Sequence, residues 1–191
     1  MTTSVQQLTR IAAASALCVA GRMILIPGPN GALIHLGSAA LYLAATVYGR
    51  HVGAWAGALG SLIFDILVRL SAYSLWSFVI KGGAGWIVGY FAARPDRPPT
   101  RGAVLGATLI ASLWTLLGYI GTWCFVIGSW TAAVANIPFS LMTSFMGILL
   151  AVILTPGCTA SCIATDRGGL AHRRFDSVQT KSKKTMNQAK T

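Results

Sequence analysis

The run from His35 to Gly89 is almost entirely apolar or small, yet it holds Asp65, Arg69 and Lys81. An ionisable side chain at the centre of a membrane helix costs roughly 2.5–3.5 kcal/mol on insertion scales, so such residues are functional candidates by default. The bulk composition fits that setting. Of 191 residues, 54% are hydrophobic and 10% charged, where a soluble domain carries about 25% charged residues. The sequence therefore predicts an all-α integral membrane protein, a bundle of six transmembrane helices occupying residues 1–155. A basic cytoplasmic tail, residues 156–191, is expected to be solvated and without fixed structure.

The spans read in order as Leu8–Ile26, a short Ser38–Tyr48, Val52–Leu70, Ser74–Ala93, Gly102–Trp123 and Thr131–Thr155. The N-terminal apolar stretch is expected to stay as the first span, because further spans come after it. Within it Ala12, Ala16 and Ala20 repeat every four residues and share a face where another helix can approach closely. That face serves either packing within the bundle or docking of a partner. Arg22, near the end of the span, is expected to snorkel to the headgroups. Pro27 to Gly37 is too rich in proline and glycine for a helix but apolar at its centre, so it reads as a loop folded back onto protein. Gly53, Gly57 and Gly60 mark a close-packing face on span three. The Gly82, Gly83, Gly85, Gly89 run invites a second backbone against span four. Span six is expected to be interrupted at Asn136 and Pro138, and Cys124–Trp130 to be a short turn.

Charge sets the expected orientation. The net charge is +11, but the Lys and Arg residues cluster in the N-terminus, the turn at Arg50, the 94–101 linker and the tail. By the positive-inside rule both termini are cytoplasmic, and the chain is a multi-pass protein of the cell membrane, in direct contact with lipid. Nucleic acid is excluded as a partner, since no recognition motif accompanies the basic residues. Cys158 and Cys162 lack further ligands at zinc spacing, so no metal is expected, and no phosphate-binding loop or other cofactor motif is present.

With that orientation, Asn30, His35, Asp65, Arg69, Tyr73, Trp76, Trp123, Asn136 and Ser140 fall toward the outer half, with Lys81 deeper. Asp65 and Arg69 are four apart on one helical face. Two readings stay open for the charged residues: mutual pairing, including Asp65 with Lys81 across helices, or contact with a ligand. For Trp76 and Tyr73 the bland alternative is an interfacial aromatic belt. A cavity with aromatic walls, a few polar groups and a Pro/Gly roof suits a small flat heterocycle.

The residues from Gly37 to Asp65, with Tyr42-Leu43-Ala44-Ala45, Tyr48-Gly49 and Ala56-Gly57-Ala58-Leu59-Gly60-Ser61, resemble the substrate-binding S component of energy-coupling factor (ECF) vitamin transporters. Ile80-Lys81-Gly82-Gly83 through Gly89 and Ile137 to Ile148 are similar to the fourth and sixth helices of that family, although Ser140 and Thr143 stand where relatives often carry amides. The resemblance implies a six-helix subunit that captures a vitamin-like heterocycle at the outer face beneath a loop lid. It implies delivery inward with a transmembrane coupling subunit and two cytoplasmic ATPases, docked through Ala12, Ala16 and Ala20. Two other classes are weighed against it. A self-sufficient channel or secondary carrier would take up its solute alone, and such carriers often show internal repeats, which are not evident here. A membrane enzyme would need acid–base groups such as Asp65, Lys81 or His35, but Asp65 is the only acidic residue in any span and no nucleophile cluster accompanies it.

Overall fold

A computed structural model describes residues 2–27, 33–68, 71–93, 99–131 and 133–155. These form six α-helices: α1 (Thr2–Met23), α2 (Gly37–Tyr48), α3 (Arg50–Leu67), α4 (Ser71–Phe91), α5 (Arg101–Thr122) and α6 (Ala133–Thr155). All lie in one compact unit, Met1–Pro156. The basic tail falls outside the described residues.

Lipid-facing chemistry is visible on every long helix. Leu8, Leu75, Val79, Leu113, Leu117, Phe145 and Ile153 are each more than half exposed. A soluble monomer rarely leaves so much contiguous apolar surface uncovered. Two stretches, Arg101–Val126 and Ala133–Thr155, are long and apolar enough to cross a bilayer by composition alone. Helix α2 has only 12 residues, about 18 Å at 1.5 Å per residue, short of the roughly 30 Å hydrocarbon core. The hydroxyls of Thr46, Thr108, Thr115 and Thr122 donate to carbonyls one turn back, at 2.6–2.9 Å. This satisfies polar groups inside the helix that bears them, as a lipid environment requires.

The core is built by small residues at crossings. A Cβ on Gly57 would collide with the Lys81 carbonyl and one on Gly85 with the backbone of Gly53, so α3 and α4 touch backbone to backbone. Gly60 receives Cys18 and Ser15 of α1 instead. The glycine face read from the sequence is thus real, but it serves two neighbours. Trp114 Nε1 donates to the Ile80 carbonyl at 3.0 Å and fixes α5 on α4. Tyr42, 1% exposed, shares a 3.0 Å hydrogen bond with Ser112 and joins α2 to α5. Gly147 of α6 packs on Ser38 of α2.

Three local readings need correction. The Pro/Gly segment contains an antiparallel pair of strands, β1 (Leu25–Pro27) and β2 (Leu33–His35), with Leu25 opposite His35 and Pro27 opposite Leu33. Pro27 lacks an N–H and stands at the end of its strand, and the pairing of 25–27 with 33–35 gives regular structure in place of the expected irregular loop. The expected turn after α5 begins as a π-helical stretch, Trp123–Ile127, closed by Gly128 at φ 69°. Helix α6 runs continuously through Asn136 and Pro138. Pro138 lies near its start, where the missing donor is least disruptive.

Candidate functional site

At one end of the bundle α1, α2, α3, α4, α5 and β2 bring polar side chains together. Arg22, in the last turn of α1, is 4% exposed and points inward. Its Nη2 donates to Ser61 Oγ at 2.7 Å, and Ser61 donates in turn to the Gly57 carbonyl at 2.6 Å. Arg22 Nη1 lies 3.7 Å from Asp65 Oδ1, and its guanidinium stands 5.5 Å from the Phe64 ring centroid. His35 of β2 meets the same ring edge-on at 6.2 Å. The Arg22 side chain also fills the space beside Gly37, where any Cβ would clash with it. Arg22 therefore ties α1, the hairpin exit and α3 to one point.

Beside this pair, Lys81 of α4 is 4% exposed. Its Nζ donates to Ser38 Oγ at 3.2 Å and sits 5.6 Å from the Tyr119 ring centroid. Tyr119 shares a 3.3 Å hydrogen bond with Ser77 and stacks on Trp123 at 6.0 Å. On α6, Asn136, Thr143 and Gly147 recur at intervals of seven and four residues, so they share a face. Gly147 brings that face against Ser38. Asn136 is buried and Ser140 half-buried.

Arg22 is the residue the sequence reading missed. A cation in the last turn of a span looks the same whether it snorkels outward or turns in. Residue type at that position does not separate the two; the contacts with Ser61, Phe64 and Gly37 do. Asp65 pairs with Arg22, and Lys81 bonds Ser38, so the direct Asp65–Lys81 pair is replaced by two separate contacts. Trp76 is 46% exposed. Asn30 and Arg69 lie outside the described residues, as does the side chain of Tyr73. Ala12, Ala16 and Ala20 are exposed, while Ala14, Ser15 and Cys18 on the other side of α1 are buried.

Buried atoms here without a hydrogen-bond partner include Asp65 Oδ2, His35 Nδ1 and Thr143 Oγ1. Burial, reinforced by the Arg22 and Lys81 cations, holds His35 well below the usual imidazole range, so its ring is neutral. The hydrogen bond of Lys81 Nζ goes to a neutral hydroxyl. Among the described residues no group of three metal-ligating side chains occurs. The arrangement offers donors, acceptors and aromatic faces for reversible binding.

Residues 2–159 match the family described as ECF-type riboflavin transporter, S component. The chain belongs to that family. It is 28% identical over 160 residues, 80% of this chain and 87% of the relative, to the thiamine precursor transporter HmpT of Lactococcus lactis subsp. cremoris (strain MG1363). It is also 28% identical over 136 residues, 71% of this chain and 88% of the relative, to an uncharacterized protein in the gap 3'region of Pyrococcus woesei. The S component is thus a substrate-specific membrane subunit of a transporter, not an enzyme.

Proposed function

We propose that this S component captures a small, flat, vitamin-like heterocycle at the end of the bundle that carries the β1–β2 hairpin. Its ligand lies between the Arg22–Asp65 pair, Lys81 and Tyr119. The supporting observation is the juxtaposition of an unsatisfied acceptor, Asp65 Oδ2, and an unpartnered ring nitrogen, His35 Nδ1, with the Lys81 amine beside an aromatic face. Buried polar atoms are normally paired, so these groups define what a ligand supplies: a donor toward Asp65 and an acceptor toward Lys81. An amide or amidine edge of a heterocycle presents both. Asn136, Ser140 and Trp123 complete the walls from α6 and the π-helical stretch, and Asn30, Arg69 and Tyr73 belong to the same end by sequence.

In this reading the bundle spans the cell membrane, with the short α2 reaching only part of the way, and the hairpin end faces outward. The opposite end supports it: Arg10 stands 5.7 Å from the Tyr48 ring and Arg50 5.9 Å from the Tyr90 ring, a basic, aromatic rim of the kind found at a cytoplasmic interface. Both termini are then cytoplasmic. The exposed Ala12, Ala16 and Ala20 face docks on a transmembrane coupling subunit driven by two ATPases, because the chain has no nucleotide-binding motif of its own. Native mass spectrometry of detergent-purified protein tests the capture step. The expected result is a one-to-one adduct with a heterocycle such as riboflavin or the thiamine pyrimidine precursor, added or carried through purification. Folded protein that takes up none of the water-soluble vitamins or their precursors contradicts it. Uptake by the chain alone in liposomes, without ATP, favours a self-sufficient carrier.

A further inference from the structure

The chain has four acidic residues: Asp65, Asp96, Asp166 and Asp176. Asp96 comes after the far end of α4 from Lys81, and the other two belong to the tail. Asp65 is therefore the one carboxylate among the described residues, and it is engaged by Arg22. Lys81, just as buried, has a hydroxyl and a ring face as its partners, both of which suit a cation but neither of which carries a full negative charge. Among the described residues the pocket thus sets two basic side chains, Arg22 and Lys81, against one carboxylate. Such an imbalance is felt more strongly inside a protein than in water by anything brought beside it.

We infer that this surplus positive charge selects the ligand by charge: the site takes a neutral or anionic heterocycle that presents an acceptor to Lys81, and it rejects a heterocycle with a fixed positive charge. The inference rests on the proposed capture of a heterocycle at this site and sharpens it. It has a concrete consequence for the thiamine-related compounds. Thiamine and its pyrimidine precursor share an aminopyrimidine edge able to meet Asp65 and Lys81. Only thiamine adds a quaternary thiazolium, whose charge no side chain here offsets. A cation beside buried Lys81 and Arg22 meets repulsion without the compensating solvent it leaves behind.

The test is titration calorimetry on the purified full chain with thiamine and 3-deazathiamine, a neutral thiophene analogue of the same shape. The neutral analogue is expected to bind at least about tenfold more tightly, a ratio within reach of one uncompensated charge contact. That ratio should shrink to within about threefold in Lys81→Met and persist in Lys81→Arg, which keeps the charge. Should neither compound fit, the same ratio is read between the pyrimidine precursor and its N-methylpyrimidinium cation. Equal or tighter binding of the cation in the native protein overturns the inference, even if Lys81→Met fails to fold. So does a Lys81→Met ratio equal to the native one. If the folded native protein binds neither these compounds nor riboflavin, the capture reading itself fails and takes this inference with it.

Discussion

Along α3 the first half, from Gly53 to Gly57, meets α4 with nothing between the two backbones, whereas the last turns, Ser61 to Asp65, meet their neighbours through hydroxyl, carboxylate and guanidinium groups. The dry half is fixed by shape: no atom is to spare at Gly53, Gly57 or Gly85. The polar half is fixed by electrostatics and keeps unsatisfied atoms. One rigid crossing therefore positions a set of groups that are complete only with something added. The same contrast separates the two ends of the bundle, since Arg10 and Arg50 lie on exposed aromatic rims while Arg22 and Lys81 are enclosed.

The contrast can be broken from the dry side first. Gly85→Val forces a side chain into the Gly53 backbone; overpacking costs about 1–3 kcal/mol and more where only backbone stands in the way. The expected outcome is loss of the monodisperse peak on size exclusion in detergent. A well-folded variant would show that the crossing is not tight. On the polar side, Asp65→Asn leaves Arg22 buried without its counter-charge, at a cost of about 3–5 kcal/mol. Thermal unfolding in detergent should register that loss, and the double variant Arg22→Met with Asp65→Leu should regain most of the stability while binding no ligand. If Asp65→Asn alone unfolds like the native protein, the buried pair is not what holds α1 to α3.

How much of the fold and site is legible in the sequence depends on whether a residue has one physical explanation or two. Asp65 and Lys81 stand out because charge within a span has no cheap resting place. The glycine face is readable from its spacing. Arg22 is not, since one position at a helix end serves either headgroup or core, and only the enclosure by Ser61, Phe64 and Gly37 decides. The three-residue strands around Pro27 carry no periodicity, and the π-helical stretch has no marker in residue type, so neither is visible. Trp76 satisfies both the belt and the wall reading, and its half exposure is compatible with either. Pro138 looks like an interruption because its position in the helix, near the start, decides its effect more than its identity.

Smaller effects sharpen the comparison. Ala16→Leu, on the exposed face of α1, should shift stability by no more than about 0.5 kcal/mol and leave ligand binding intact. Uptake by the assembled transporter should fall about tenfold or more if close helix approach is what the face provides. Unchanged uptake would remove α1 from the docking surface. The smallest effect concerns His35. Its imidazole is held below the ordinary range, so below about pH 6.5 the unfolded chain binds a proton that the folded chain does not. Stability should then decline gently as pH drops through that point, and a His35→Gln variant should lose the decline. A stability that instead rises on acidification would mean that the ring is charged in the fold.

The most direct test is a ligand-bound structure at a resolution that places ring atoms. The account puts the heterocycle in contact with Tyr119, with an acceptor within about 3.2 Å of Lys81 Nζ and a donor as close to Asp65 Oδ2. A ligand lodged elsewhere, with Lys81 still bonded only to Ser38 and Asp65 unchanged, would contradict it.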